Sequence, residues 1–315
     1  MKSIASAPAK VILFGEHFVV YGIKAILCSI NKRVTITSIK SEESIIFVKS
    51  NLGEISVPSL KSIEGINSPL LPFIYIAKKM IEKFNYLGGI KIIIESDIPS
   101  GVGLGSSSAC CVAAAGSISG LFTKYSKEEI LNLAIEAEKT IFKNTSGADC
   151  TVCTYGGIIE YDKENGYKKI NTRINLNLVI ANSRIPHSTS IVVSKVKDFI
   201  VHNEKKFFEL CNEEKKLIEK VKSIFKSGDL KSLGEMIMLN QKYLDQIGVS
   251  NEILFNLIKE ANKTSYGSKI TGAGEGGCII ALVDKSNLEK TLSNLHNKNH
   301  ECFAVKMDIT GLDTF

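Results

Sequence analysis

The stretch that most constrains the fold is a glycine-rich loop over residues 97–109, Asp-Ile-Pro-Ser-Gly-Val-Gly-Leu-Gly-Ser-Ser-Ser-Ala. An isoleucine-rich run over 90–95 predicts a strand before it, and the small apolar residues of 109–122 predict a helix after it. This order suits phosphate binding, because glycines allow positive φ and the first amides of a helix face an anion. Three serines at the helix entrance add hydroxyls for phosphate oxygens or Mg²⁺. We therefore predict a phosphate-binding loop.

The spacing of this loop differs from two familiar phosphate-binding patterns. No Gly-Lys-Ser/Thr follows four spacer residues, and the third glycine comes two residues after the second instead of three. A flexible turn before a buried helix would use the same glycines. The loop by itself therefore leaves both interpretations open.

Composition limits the class of protein and its partners. A chain of 315 residues can bury one large core or two medium ones, and its net charge of +6 suits an anionic small molecule without indicating nucleic acid. The first residues lack the apolar region of a signal peptide, and no apolar run reaches membrane-spanning length. Eight cysteines fit a reducing compartment. We expect a cytoplasmic protein that binds neither nucleic acid nor membrane.

Two polar patterns have ordinary structural interpretations. Cys150 and Cys153 have CxxC spacing, but no second Cys or His pair lies nearby, which favours buried core cysteines over a zinc or redox site. The mixed charges of residues 213–216, Glu-Glu-Lys-Lys, predict a solvent-exposed helix face.

The remaining pattern predicts a two-part α+β architecture with a boundary between residues 161 and 175. Predicted strands cover 4–7, 10–14, 25–30, 33–39, 44–48, 90–95, 156–161, 176–181, 279–283 and 302–307, with Pro8 separating the first two. Predicted helices cover 72–84, 109–122, 126–142, 204–226, 229–247, 251–262 and 286–297, and a further helix is expected to follow the stretch 182–189 with Ser188 or Thr189 as its cap.

One acid stands out on the helix that begins with the capping box at Ser126. In helical projection Glu138 falls within the arc of apolar side chains, whereas the other three acids of the helix lie outside it. A buried carboxylate is costly unless it is paired or binds a metal. We predict a functional carboxylate, with a structural salt bridge as the alternative.

Three further polar residues each keep two interpretations. Lys10 either extends its charge to water at a strand end or points into a site. His17, in the glycine-bounded turn 15–22, is either structural or a recognition group. Asp149, which ends the turn 144–149, is either a turn residue or functional.

Five separated stretches together resemble the GHMP small-molecule kinases, and within that superfamily the mevalonate kinases. They are 8–22 (Pro-Ala-Lys-Val-Ile-Leu-Phe-Gly-Glu-His-Phe-Val-Val-Tyr-Gly), 99–109, 182–189 (Asn-Ser-Arg-Ile-Pro-His-Ser-Thr), 240–250 (Asn-Gln-Lys-Tyr-Leu-Asp-Gln-Ile-Gly-Val-Ser) and 269–278 (Lys-Ile-Thr-Gly-Ala-Gly-Glu-Gly-Gly-Cys). The resemblance covers essentially the whole chain. It implies an α+β, two-domain GHMP kinase fold. A ribosomal-protein-S5-like domain would cover 1–168 and a ferredoxin-like domain 169–315, with the active site between them.

The resemblance also implies a function and its residues. The expected reaction is ATP- and Mg²⁺-dependent phosphorylation of the C5 hydroxyl of (R)-mevalonate, in a protein expected to be a homodimer. Catalysis would use Lys10 together with Asp149, which would accept the hydroxyl proton or orient the hydroxyl. Mg²⁺ would be held by Ser107 and Glu138. ATP would contact the loop residues Pro99, Ser100, Gly101, Val102, Gly103, Leu104, Gly105, Ser106, Ser107 and Ser108, and the substrate would contact Glu16, His17, Thr189 and Gly274.

The sequence departs from the family pattern near the predicted site. Before Asp149, Phe142 and Lys143 replace His-Gly and Thr145 replaces Pro. In the loop and helix, Ser108 stands where Ala is common and Cys110 where Tyr is common. These changes affect the expected substrate contacts and leave the phosphoryl-transfer residues in place.

Three alternative functions are weighed against the same residues. Another GHMP kinase, acting on homoserine, a sugar or phosphomevalonate, is disfavoured by stretches 182–189 and 240–250. A decarboxylase that first phosphorylates mevalonate diphosphate is disfavoured by the residues around Lys10. A non-catalytic sensor of ATP is disfavoured by the joint presence of Lys10, Glu138 and Asp149.

Overall fold

A computed structural model describes residues 1–99, 101–186 and 188–315. Its strands are β1 (Lys2–Phe14), β2 (Ala25–Ser41), β3 (Ile45–Ser50), β4 (Gly53–Pro58), β5 (Gly89–Ser96), β6 (Ile158–Asp162), β7 (Gly166–Lys169), β8 (Asn177–Asn182), β9 (Gly267–Thr271), β10 (Cys278–Val283), β11 (Glu301–Lys306) and β12 (Asp313–Thr314). Its helices are α1 (Leu71–Lys83), α2 (Ser106–Ser119), α3 (Lys127–Glu138), α4 (Ala148–Tyr155), α5 (Thr189–Ser227), α6 (Leu230–Gln246), α7 (Glu252–Ala261) and α8 (Leu288–His296), with a 3₁₀ helix over Phe18–Tyr21. Within these ranges no helix has both the length and the apolar character needed to cross a membrane.

The first structural unit is built on an eight-stranded sheet. Its main order is β12-β1-β2-β5-β3-β4, and β6 pairs with β2 and with β7. The pairs are antiparallel except β3 with β5. Helix α2 is buried against β1 and β2, because its small side chains allow close packing on the sheet. This packing holds the glycine loop beside the centre of the sheet.

Strands β1 and β2 are each continuous, so the prediction of two pairs of shorter strands is wrong. Pro8 remains inside β1, paired with Arg33, and the register shifts between Pro8 and Ala9. The bulge accommodates a residue that has no amide to donate. Because β1 continues through Pro8, this single strand leads from Lys2 to the site residues that follow Phe14.

The second unit has an antiparallel sheet in the order β11-β8-β10-β9, packed with α5 to α8. Helix α5 has non-helical angles at Asn203, with φ −139 and ψ 38, and its first part begins at Thr189. The expected helix start at Ser188 or Thr189 is confirmed, since Ser188 is the N-cap of α5, and the helix predicted from residue 204 is the part after the kink. Helix α4 was not predicted: the turn 144–149 was expected to end at Asp149, but Gly147, with φ 77, is the N-cap of α4, and Asp149 lies in its first turn. The α+β class predicted from the sequence is confirmed.

The connection between the units lies over residues 170–176. Strands β6 and β7 belong to the first sheet, and β8 is the first strand of the second. The chain later returns, because β12 pairs with β1 through Ala5–Thr314 and Ser6–Asp313. We therefore propose a division within 170–176 with β12 counted in the first unit, whereas the predicted domain 169–315 placed it in the second.

A buried polar cluster joins the two units. Glu16, after β1, forms an ion pair with Lys269 of β9, and the two side chains are 1% and 0% exposed. Glu214 of α5 accepts hydrogen bonds from the Gly15 amide at 2.9 Å and from Nδ2 of Asn240 at 2.8 Å. Burial raises the pKa of Glu214 to about 7, and it also raises the pKa of Glu16 and lowers that of Lys269. The contact between the units therefore contains charges that carry a desolvation cost.

Replacing Glu214 should change how stability depends on pH. The folded protein holds this proton up to about pH 7, whereas the free carboxyl loses it near 4.5. Between these values the folded state binds more protons, so the free energy of unfolding falls as the pH rises through 7. In Glu214→Gln this decrease should shrink by at most about 3 kcal/mol between pH 5 and 8, measured by urea unfolding. Glu213→Gln, at an exposed neighbour, is the control; equal pH profiles for Glu214→Gln and the unmodified protein would contradict the expectation.

Candidate active site

The glycine loop has the backbone geometry that its sequence predicts. Gly101, Gly103 and Gly105 have φ values of 74, 82 and 73. Gly105 is the N-cap of α2, and its position forms no side-chain cap hydrogen bond. The first amides of α2 therefore suit an anion, together with the positive end of the helix dipole. Ser100 lies outside the described residues.

Lys10 connects this loop to Asp149. Its Nζ lies 3.0 Å from Oδ2 of Asp149, and the two side chains are 5% and 35% exposed. Its amide donates to the Leu104 carbonyl at 3.0 Å. A Cβ on Gly105 would lie 2.7 Å from Cγ of Lys10, so the absence of a side chain there makes room for the lysine. Strand β1, the loop and α4 thus meet at one charged pair.

Glu138 lies at the end of α3 and is 3% exposed, so its predicted burial is confirmed. Its carboxylate accepts hydrogen bonds from the hydroxyls of Ser108 and Thr145. Within the part of the chain that the structure describes, it forms no ion pair with a Lys, Arg or His side chain. Burial raises its pKa, and the two hydroxyls oppose that effect. A buried carboxylate held by neutral groups alone is suited to take a cation.

The oxygen donors here fit Mg²⁺. The cation prefers hard oxygen ligands and keeps several waters, so it needs one or two protein ligands. Among the described residues no group of three or more His, Cys, Asp and Glu side chains is arranged to hold a metal. Ser107 is partly exposed in the first turn of α2, while the neighbouring Ser108 contacts Glu138. Ser107 as a ligand stays a prediction.

A further loop rich in glycine, residues 272–277, approaches the site from the second unit. It is called the third glycine loop, after the turn 15–22 and the loop 97–109. His17 is buried with φ 62, and its Nε2 lies 2.7 Å from the Ala273 carbonyl. A carbonyl can only accept, so Nε2 carries the proton, and burial lowers the pKa of the ring. Gly274 has φ 84, and a Cβ there would lie 2.3 Å from the carbonyl oxygen of Val249. The loop therefore packs between the stretches 8–22 and 240–250.

The same loop also contacts the stretch 182–189. The Ser183 amide donates to the Gly277 carbonyl at 2.8 Å, and the Gly277 amide donates to the Ile185 carbonyl at 3.1 Å. Thr189 is exposed as the first residue of α5, and the described hydrogen bonds do not join it to Lys10 or Asp149. The other four motif stretches thus lie around this loop, since a Cβ on Gly272 would also lie 3.9 Å from the carbonyl oxygen of Gly103.

Known proteins resemble this sequence over nearly its whole length. The GHMP kinases N terminal domain model matches residues 73–157, and the GHMP kinases C terminal model matches 217–301. The mevalonate kinase of Pyrococcus furiosus is 34% identical over 311 residues, covering 92% of this chain and 91% of that protein. The mevalonate kinase of Methanothermobacter thermautotrophicus is 32% identical over 321 residues, covering 99% and 100%. The chain belongs to the GHMP kinase family.

The fold of this GHMP kinase agrees with a solved relative. The crystal structure of the Methanococcus jannaschii mevalonate kinase matches it with a TM-score of 0.86 and 29% identity, over 96% of this chain and 98% of that one. The two-domain GHMP kinase fold that the sequence implied is confirmed.

One predicted substrate residue of this GHMP kinase lies in the contact between the units. The side chain of Glu16 is 1% exposed, and its Oε1 forms an ion pair with Lys269. Its other oxygen, Oε2, has no hydrogen-bond partner among the described residues. Contact of Glu16 with the substrate stays a prediction.

Two polar groups of the same contact were missed. Glu214 was included in a run predicted to face solvent, but it is fully buried while Glu213 is exposed. The signal was available, because Glu214 lies three residues after Cys211 and three before Leu217, both of them buried apolar positions. The Thr271 hydroxyl, also unpredicted, bonds both backbone groups of Ile12 at 2.9 and 3.1 Å.

The CxxC pair behaves as the sequence predicted. Cys150 and Cys153 are free, buried residues of α4. Burial raises the pKa of both thiols well above its ordinary value. Both side chains therefore remain protonated core residues.

Two glycine substitutions should separate backbone strain from displacement of Lys10. Gly105 and Gly166 have nearly equal φ, but a Cβ on Gly166, where β7 pairs with β6, meets nothing within 4 Å. Both alanine variants should lose about 1 kcal/mol of stability from strain. Gly105→Ala should also lower kcat roughly a hundredfold, because it moves Lys10, whereas Gly166→Ala should keep its turnover. Steady-state kinetics and urea unfolding measure both effects; equal losses of kcat would show that the contact with Lys10 is unimportant.

Proposed function

We propose that this chain is a mevalonate kinase, which transfers the γ-phosphoryl group of ATP to the C5 hydroxyl of (R)-mevalonate with Mg²⁺ as cofactor. As a GHMP kinase it is an ATP-dependent phosphotransferase with an alcohol as acceptor. The observation that carries the proposal is the Lys10–Asp149 pair beside the glycine loop, with buried Glu138 on the adjoining helix. The names of the relatives support mevalonate as the acceptor.

On the donor side, this chain supplies amides and oxygen ligands. The amides of the loop and of the first turn of α2 would bind the phosphates of ATP. Glu138 and Ser107 would hold Mg²⁺. When bound, Mg²⁺ neutralises charge on the phosphate oxygens. Because Glu138 is buried and fixed by two hydroxyls, its carboxylate needs no rearrangement to bind the cation.

On the acceptor side, Asp149 would orient the C5 hydroxyl and hold the proton that it releases. The hydroxyl oxygen forms the new bond to the γ-phosphorus while the bond from that phosphorus to the β–γ bridging oxygen breaks and ADP leaves. The ammonium of Lys10, 3.0 Å from Asp149, would hold this side chain in place and stabilise negative charge on the reacting oxygens during transfer. Positioning of the two substrates supplies most of the acceleration.

One assay tests the proposed acceptor. ADP release, coupled to NADH oxidation, would be measured with mevalonate, phosphomevalonate, mevalonate diphosphate, homoserine and galactose at equal concentrations. Mevalonate should give the highest kcat/KM. A higher value for another acceptor would replace mevalonate kinase by a different GHMP kinase activity, and a lack of ADP release with every acceptor would support a non-catalytic sensor.

Asp149→Asn should affect turnover more than nucleotide binding. The amide cannot take the hydroxyl proton, so we expect kcat to fall roughly 10²- to 10⁴-fold with little change in the KM for ATP. Asp198→Asn, at an exposed acid of α5, should keep the original kinetics. Near-normal turnover of Asp149→Asn would remove the role as base and leave Asp149 as an orienting group at most.

Glu138→Gln should raise the Mg²⁺ concentration needed for half-maximal activity. Loss of an outer partner of a metal site costs 10- to 100-fold in affinity, so loss of a ligand should cost at least about tenfold. Glu136→Gln is the matched control, since this exposed acid on the same helix pairs with Lys79. An unchanged Mg²⁺ dependence in Glu138→Gln would place Glu138 outside the metal site.

We also propose a cytoplasmic homodimer. Light scattering of the purified protein tests the oligomeric state: a mass of two chains supports the dimer, and a mass of 34.4 kDa contradicts it.

A further inference from the structure

Glu214 is an unusual residue to find in the contact between the units. It is fully buried, and its two oxygens accept hydrogen bonds from neutral groups, the Gly15 amide and the Asn240 amide. The ammonium of Lys269 forms its ion pair with Glu16 instead. A buried carboxylate with neutral partners stabilises a fold less than an apolar side chain of similar size. Its presence therefore calls for a reason other than stability.

The reason lies in the chain segment that Glu214 holds. Strand β1 ends at Phe14, so the amide of Gly15 is the first one beyond the strand. Gly15 has φ 92, and a Cβ there would lie 2.5 Å from the Lys24 carbonyl oxygen, which makes this a tight turn. Glu214 supplies the acceptor for its amide from the opposite unit. The turn is thus anchored across the contact between the units.

The next two residues are held from the same side. Glu16 pairs with Lys269, and the His17 ring donates to the Ala273 carbonyl. Three consecutive residues after β1 therefore each have a partner in the second unit. Of these three contacts, the one made by Glu214 fixes the backbone itself, and it sets the direction in which the following side chains leave the strand.

We propose that Glu214, oriented by Asn240, is a positioning residue that fixes the turn 15–17 and thereby the acceptor side of the active site. This inference rests on the proposed function only for the identity of the acceptor. Glu214 acts through Gly15 and touches no reacting atom. ATP binding, which uses the loop 99–108, does not depend on it.

The test removes the acceptor for the Gly15 amide and then returns it. Glu214→Leu fills a similar volume but offers no oxygen to this amide. In Glu214→Gln the side-chain oxygen can still accept from Gly15, and Asn240 can turn its amide so that Oδ1, which has no partner among the described residues, accepts from the new amide group. Glu213→Leu, adjacent and exposed, is the control.

Hydrogen exchange gives the readout that needs no substrate. In Glu214→Leu, amide exchange in the segment 13–21 should accelerate about tenfold, as expected for a hydrogen bond weakened by about 1.4 kcal/mol. Glu214→Gln and Glu213→Leu should exchange at the original rate. Unchanged exchange in Glu214→Leu, or exchange in Glu214→Gln as fast as in Glu214→Leu, would overturn the proposal. If Glu214→Leu fails to fold, Glu214→Met takes its place, and failure of both to fold also overturns the proposal.

Kinetics give the second readout, with whichever acceptor the unmodified protein phosphorylates. Glu214→Leu should lose roughly tenfold in kcat/KM for the acceptor while the KM for ATP stays within about twofold, and Glu214→Gln should keep kcat/KM for the acceptor close to the original value. Equal losses for acceptor and ATP would indicate general destabilisation and overturn the positioning role. If the unmodified protein does not phosphorylate mevalonate, the proposed function fails, while the exchange measurement still decides the role of Glu214.

Discussion

Lys269 and Glu16 place opposite charges in the contact between the two units, where neither side chain reaches water. Each charge is costly to bury without its partner, and removal of one member of such a pair costs about 3–5 kcal/mol. Sliding one unit along the other without letting water in would leave each charge buried and unpaired. The pair therefore fixes one relative placement of the units, and the positions of His17 and the third glycine loop follow from it.

The donor and acceptor sides of the site are connected through one residue, Lys10. Lys10 forms the ion pair with Asp149, donates its amide to the glycine loop at Leu104 and occupies the space left by Gly105. A shift of the loop would therefore move the lysine, and a shift of the lysine would move the loop. Such coupling keeps the phosphate cradle and the reacting hydroxyl aligned, which phosphoryl transfer requires because positioning supplies most of its catalysis.

The features of the fold and site that could be predicted are those determined by residue spacing within one helix or loop. The loop glycines and the burial of Glu138 follow from residue spacing along one element, and the structure confirms both. The same helical projection would have found Glu214, but its charged neighbours concealed it. The burial of Glu16 was not accessible in this way, because its partner Lys269 is distant in sequence and meets it only when the two units pack.

Departures from the family pattern were visible in the sequence, but their connection was not. Ser108 and Thr145 each stand where relatives commonly have a residue without a hydroxyl, and they occur in different segments. In the folded protein both donate to the carboxylate of Glu138. The two substitutions thus form one local environment for this group, which only the packing of α2 against the end of α3 reveals.

The return of β12 to the first sheet bears on how the protein is made. Strand β1 has β2 on one side and β12 on the other, and β12 is formed by residues 313–314. During synthesis, β1 is complete long before its second neighbour exists, so one stretch of its backbone stays unpaired until the second unit has been translated. An open strand edge of this kind can pair with another chain. Early closure of the second unit, which brings the C-terminal strand back to β1, would shorten the time for which nascent chains can associate.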